Sequence, residues 1–282
     1  MGTQPDLSSA EAKWERAQFH AQKLLHRIFG WAHNDNDPAI RVGLEDDLKR
    51  HRTLVYVKSV KRIPPKWGLE LGDALHNYRS ALNYIAASLI RVGLTPGEAL
   101  NATFQFPVCR TTPTDFYAPI GPVRRDQLPG VRLKYLRAIS PFQPYKARGN
   151  RWVLPAIKTL NNLDKHSQPV LAAHYVKAQL AVISPSYLPA AAPIATFKSL
   201  HPRSRLEPGT KLGHVTWLTG ERPIILLRSR QPTGKSEMRV HLHPISGVVL
   251  ENLQPNRTVF VSGFVDAADR LLDGLIRKIR EV

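Results

Sequence analysis

Residues 67–92, WGLELGDALHNYRSALNYIAASLIRV, constrain the fold more than any other stretch, because their pattern admits one secondary structure with one buried face. Leu71, Ala74, Leu75, Tyr78, Leu82, Ile85, Ala86 and Leu89 recur in steps of three and four. At about 100° per residue those steps draw one continuous apolar stripe, which predicts a core helix. Across from the stripe, Gly72, His76, Arg79 and Asn83 are joined by the same steps, flanked by Asp73 and Ser80. Three hydrogen-bonding side chains therefore leave the helix from one narrow strip. A face selected only for contact with water favours Glu, Lys and Gln, which form helices well, whereas His, Asn, Ser and Asp form them less well. Their concentration here points to selection by contacts, either structural or with a ligand.

A chain of 282 residues has ample material for one large domain or two small ones. Its hydrophobic content of 43% argues against wholesale disorder, and its 23 prolines predict many loops and short elements. The formal charge of +18 favours polyanionic partners, nucleic acid or an anionic surface. Cys109 is the only cysteine, which excludes an internal disulfide and a cysteine-based zinc cluster and suggests a reducing compartment. The first residues lack the apolar run of a signal peptide, and no later segment is long and apolar enough to span a bilayer. A cytoplasmic protein with no membrane partner is the expectation, with a homo-oligomer left open.

Along the chain, Ser8 and Glu11 predict a capping box opening a first amphipathic helix, with Trp14, Ala17, Ala21, Leu24 and Ile28 at helical spacing up to Gly30. The segment 33–38 resembles a calcium loop only superficially, lacking the glycine and the terminal glutamate of one, and reads as a turn. Thr53–Val60 reads as a strand, stopped by Ile63-Pro64-Pro65. After the central helix, Thr95-Pro96-Gly97-Glu98 predicts a second capping box. Leu154, Ile157, Leu160 and Leu163 predict a further helix ending in Asn161-Asn162-Leu163-Asp164-Lys165-His166. Short strands follow at Val170–Val176, Gln179–Ile183, Ile194–Phe197, Lys211–Leu218, Pro223–Leu227, Glu237–Leu242 and Val248–Glu251. Thr258 to about Arg280 reads as a long amphipathic helix with Asn256 a candidate cap. The fold class expected is α+β: residues 1–168 a mainly helical part with one early strand around the central helix, and residues 169–282 an antiparallel sheet covered by the C-terminal helix, the two sharing a core.

Between Arg110 and Trp152 basic and aromatic residues interleave. Arg124, Arg125, Arg132, Lys134, Arg137, Lys146, Arg148 and Arg151 suit phosphates, and Tyr135 and Tyr145 suit stacking on bases, the pattern of a binding site for RNA or single-stranded DNA. The competing reading makes the rings anchors of a long loop and the arginines solvated. No cofactor or metal site is expected. Gly234-Lys235-Ser236 lacks the leading glycine of a phosphate-binding loop, and His241 and His243 share a strand face without an identifiable third ligand.

The segments LGDALHNYRSALNY, FQFP, SPFQPY and LNNLDKH, in this order, resemble a family of uncharacterised bacterial proteins with a GD-LHN-RSALD helix followed by an NN-DKH segment. The likeness runs from about Lys58 to Val176 and implies no activity. More distantly, the chain is similar to the HEPN superfamily, whose metal-independent endoribonucleases carry an arginine followed four to six positions later by a histidine. Arg79 matches that arginine, with Ser80 as its polar neighbour, and Tyr84 stands where the histidine is expected. The resemblance implies a ribonuclease in which His76 or His166 supplies the base, Arg79 steadies charge on the phosphorane and Asn83 holds an oxygen. His76, Arg79, Asn83, Asp164 and His166 are thus the candidate catalytic residues. The architectural alternative has Arg79 and His76 bridging to Asp164 in a buried polar network that fixes two helices, as in a structural or partner-interaction protein. A nucleic-acid-associated protein without catalysis is the leading functional expectation.

Overall fold

The computed structural model describes residues 4–32, 34, 39–101, 104–109, 127–145, 152–166, 171–183, 195–199, 207–217, 224–226, 239–250 and 259–282. The chain forms two compact units, and they are interleaved in sequence. Met1–Leu25, Pro64–Val170 and Leu250–Val282 make a helical unit, while His26–Ile63 and Leu171–Val249 make a β unit. The class is α+β. The units are not the segments 1–168 and 169–282 expected from sequence, because an early hairpin joins the later strands and the last helix joins the earlier helices.

The helical unit contains most of α1 (Ser8–Ala32), then α2 (Lys66–Gly93), α3 (Pro96–Asn101), α4 (Leu133–Ile139), α5 (Val153–His166) and α6 (Val261–Arg280). The stripe read from sequence is the core face of α2, with Leu71, Leu75, Tyr78, Leu82, Ile85 and Leu89 fully buried. Each such side chain contributes on the order of 1.5–3 kcal/mol. α2 packs against α5 and α6, which carry Ile157 and Phe264, Ala268, Leu272 and Leu275 to the same core. The Ser88 hydroxyl donates to the Asp6 carbonyl, and His20 lies 3.9 Å from Asp73. These two contacts set α1 antiparallel to α2, with residue numbers along the pair falling on one as they rise on the other. Three helices meet at one carboxylate: Trp14 Nε1 of α1 donates to Asp269 Oδ1 of α6 at 2.8 Å, and the Tyr78 hydroxyl of α2 donates to the same oxygen at 2.9 Å.

Two helix caps depart from expectation. The Ser8 N–H bonds Asp6 Oδ1 at 3.0 Å, so Asp6, rather than a Ser8/Glu11 box, satisfies the first orphan donor of α1. α6 begins at Val261, after the extended Phe260, and no side chain among the described residues caps it; Thr258 and Asn256 lie outside the described residues. The box at Thr95 and Glu98 forms as expected, the Thr95 N–H donating to Glu98 Oε2 at 2.9 Å. α2 ends at Gly93 because the backbone of Gly130 crosses there. A Cβ at Gly93 would lie 2.7 Å from the Gly130 carbonyl carbon, and Gly130 itself takes φ +68°.

In the β unit, β1 (Ile40–Asp47) and β2 (Arg52–Val60) form an antiparallel hairpin through a 3₁₀ turn, Leu48–Arg50. Only β2 was expected. β1 is masked in sequence by Gly43, whose role is visible only in register: it faces Tyr56, and the tyrosine ring covers the space a side chain would fill. The hairpin extends into a four-stranded antiparallel sheet of order β1-β2-β5-β4, with β4 Ala195–Ser199 and β5 Lys211–Trp217. A second sheet has the order β3-β7-β6, from β3 (Leu171–Ile183), β7 (Arg239–Leu250) and β6 (Ile224–Leu226), and β6 runs parallel to β7. Two pairs of expected short strands are single long ones here, β3 and β7. A short strand β8 (Val259–Phe260) leads into α6.

Candidate functional site

The polar strip of α2 divides into three environments. Asn83 is half-buried and its Oδ1 accepts the Phe106 N–H at 3.1 Å, so it holds the segment 104–109. That segment is clasped at its other end, where the Cys109 N–H donates to Oε1 of the fully buried Gln143 at 3.0 Å. Asn83 is therefore a structural ligand of the backbone.

His76 is exposed and lies near Asp164, at the crossing of α2 and α5. Gly72 makes that crossing close: a Cβ there would lie 2.7 Å from Asp164 Oδ2. The Asp164 carboxyl is held above its ordinary value, first by burial and then by the charge of Asp73, with His76 acting in the opposite direction. Its position in the last turn of α5, at the negative end of the helix dipole, favours the neutral form as well. His166 ends α5, but its side chain lies outside the described residues.

Arg79 stands apart from both. It is 5% exposed and is the only formally charged side chain buried among the described residues. Among the described residues, neither of its terminal guanidinium nitrogens, Nη1 and Nη2, has a hydrogen-bond partner. Burial pushes its pKa down to about 10. The expected bridge from Arg79 and His76 to Asp164 does not form: Asp164 meets His76 and Asp73, and Arg79 meets neither carboxylate. The strip fails as one network because α2 is enclosed on several sides, so side chains one turn apart enter different surroundings.

The basic and aromatic residues of the middle segment also separate. Arg132, Lys134 and Arg137 are exposed on α4 or at its start. Lys134 Nζ donates to the Val282 carbonyl at 2.6 Å and sits 4.7 Å from the centre of the Tyr135 ring. Tyr135 is fully buried, with no partner for its hydroxyl among the described residues, and the Tyr145 hydroxyl is 3.0 Å from Ser140 Oγ. Tyr135 is thus a core residue, not a platform for bases. Phe142 likewise packs on Gly274 and Trp152 on Phe264, the latter with ring centres 6.2 Å apart. Arg124, Arg125, Lys146, Arg148 and Arg151 lie outside the described residues.

One feature of α1 is absent from the sequence expectations although its signal is periodic. Lys13, Arg16, His20 and Lys23 recur in steps of three and four, the same steps that mark an apolar stripe. Arg16 lies over the exposed ring of Phe19, 5.6 Å from its centre.

A groove between α1 and α6, lined by Glu11, Trp14, Ile276 and Arg280, contains none of the expected site residues. Among the described residues no three His, Cys, Asp or Glu side chains are placed to hold a metal ion, and no helix is long and apolar enough to cross a membrane. No family model matches the chain, and neither a curated protein nor a solved structure gives a significant match.

Proposed function

We propose that this is a cytoplasmic, nucleic-acid-associated protein whose helical unit binds a phosphate of RNA or single-stranded DNA through Arg79, without cleaving the strand. The observation that carries the reading is the buried guanidinium, whose two terminal nitrogens are unbonded among the described residues and closed to solvent, so that an anion reaches them only as the covering side chains move aside. Buried charges are ordinarily paired, because an unpaired one bears most of its desolvation cost. An oxyanion supplies what the guanidinium lacks, two acceptors in the plane of its fork. The formal charge of +18 makes a polyanion the fitting source of that oxyanion.

Binding is favoured over cleavage because the groups a ribonuclease needs do not converge among the described residues. Asn83 is committed to the Phe106 N–H, His76 is exposed beside Asp164, and Tyr84 stands where the HEPN motif has its histidine. The test is binding of a fluorescent single-stranded 20-mer at low and rising salt. Affinity should fall steeply with salt, and Arg79→Met should weaken it at least tenfold. A parent protein that fails to bind at low ionic strength overturns the reading. RNA cleavage that persists in EDTA and disappears in Arg79→Ala would replace it with the ribonuclease.

A further inference from the structure

We propose that the strip of α1 formed by Lys13, Arg16, His20 and Lys23, with Arg16 and Lys23 exposed and Phe19 beside them, is the track along which a single-stranded nucleic acid runs. The inference rests on the nucleic-acid reading above and gives it a surface. At about 100° per residue the four basic positions fall within roughly 80° of arc, and over ten residues they extend about 15 Å along the helix. Lys13, Arg16 and Lys23 make no ion pair among the described residues; His20 alone has a carboxylate nearby, Asp73 at 3.9 Å. The acids of α1, Glu11 and Glu15, lie outside the strip, and Glu11 is already paired with Arg280 at 2.7 Å. Three uncompensated cations on one strip fit a row of phosphates.

Phe19 supplies what a row of cations alone does not. It is 55% exposed on the solvent side of a helix. A single exposed phenylalanine is ordinary on a protein surface. This one has the Arg16 guanidinium over it, 5.6 Å from the ring centre, and the His20 ring edge-on at 5.5 Å. A ring set among cations is the combination that holds unpaired bases, which offer a π-face to the ring and a phosphate to the neighbouring charge. Duplex DNA, whose bases are stacked on each other, presents the phosphates but not the free face. The partner that uses both halves of the strip is therefore single-stranded.

The test is fluorescence anisotropy of the full-length protein with labelled dT 20-mer, duplex of the same length, and vesicles containing phosphatidylserine as competitor. Phe19→Ala should weaken single-strand binding about tenfold with an unchanged salt slope, and Phe19→Trp should restore it. Lys23→Gln should lower the salt slope by about 0.7, one phosphate contact. Circular dichroism should show all three variants folded, since each position is exposed on one helix face. If Phe19→Ala and Lys23→Gln bind like the parent while Arg79→Met is weakened, the α1 track is wrong and the Arg79 reading stands. If the parent binds no single strand at all, both fall. If the vesicles bind and displace a weakly held strand, or duplex binds as well as single strand, the strip is a general polyanion surface and the proposal is overturned.

Discussion

Replacing Arg79 by methionine separates an anion receptor from a structural arginine by the sign of the stability change. Burial pushes the pKa of the guanidinium down to about 10. At 1.36 kcal/mol per pKa unit, burial costs its charged form roughly 3 kcal/mol. Methionine keeps the unbranched stem as far as the level of Nε and removes the charge, so the variant should be more stable than the parent by about 1–3 kcal/mol. For a domain of this size that is a rise in melting temperature of roughly 2–4 °C per kcal/mol. The measurement is calorimetric unfolding of both proteins near neutral pH, with and without inorganic phosphate.

Phosphate completes the argument through linkage. An anion that binds only the folded parent stabilises it by about 2.7 kcal/mol at a hundred times its Kd, and should leave Arg79→Met unmoved. Alkali gives an independent check on the sign. A base whose pKa is lower in the folded state leaves the unfolded chain holding more protons above about 10, so the parent gains stability as pH rises from there and its deficit against Arg79→Met closes. A loss of about 3–5 kcal/mol in Arg79→Met would refute the reasoning, because that is the signature of breaking an internal buried pair. A parent whose melting temperature ignores phosphate would refute the receptor itself.

Three further outcomes follow from the same geometry. Asp164→Asn should be neutral to stabilising at neutral pH: the folded carboxyl sits above 3.8, so the parent loses stability as pH rises through the region just above that value, and thermal melts of the amide variant should lack this decline. Tyr78→Phe should cost about 1–3 kcal/mol in urea denaturation, the worth of a hydrogen bond to a charged acceptor, here the 2.9 Å bond to Asp269; an unchanged midpoint would show that Trp14 alone suffices to hold Asp269. Gly93→Ala should destabilise by about 1–3 kcal/mol because the Gly130 backbone cannot move aside, whereas Gly72→Ala should be nearly neutral because the Asp164 carboxylate can swing away as the helix gains about 1 kcal/mol of propensity; equal losses in the two variants would mean that Asp164 is held more rigidly than its half-exposed position implies.

What was legible in the sequence was whatever a single element decides by itself. The apolar stripe from Leu71 to Leu89, the capping box at Thr95 and Glu98 and the helix ending at His166 depend on spacing within a few turns, and the structure has all three. What was not legible depends on partners distant in the chain. β1 carries Gly43 because Tyr56 covers it across the hairpin, and a glycine in eight residues reads locally as a strand breaker. β6 pairs parallel with β7, a relation that no turn signal between them announces. Tyr135 looked available for stacking because basic residues surround it in sequence, yet the face of α4 that holds it is the buried one. The candidate site shows the same division: the strip on α2 is real, but Gly72 meets Asp164 of α5, Asn83 holds the segment 104–109, and Arg79 is buried apart from both.

That division bears on what a central helix can be used for. A polar strip on a helix at the edge of a fold faces one medium, so its residues can act together; α2 is packed by α5 near Gly72 and by the segment 104–109 near Asn83. Asn83 thereby acquires architectural work, His76 stays exposed beside Asp164, and the energetic oddity is concentrated in Arg79. The chain has 40 lysines and arginines, and the surface accommodates cations at little cost. Keeping one in the interior with two unbonded nitrogens forgoes stability that methionine or leucine would restore, and a purely architectural role at Arg79 would leave that loss uncompensated. A ligand anion offsets it only when bound, which makes the helical unit more stable in complex than alone. The same linkage means that strand binding on α1 and anion binding at Arg79, if one strand serves both, should each tighten the other by an equal factor, and saturating phosphate should weaken the strand by the share of affinity that Arg79 contributes.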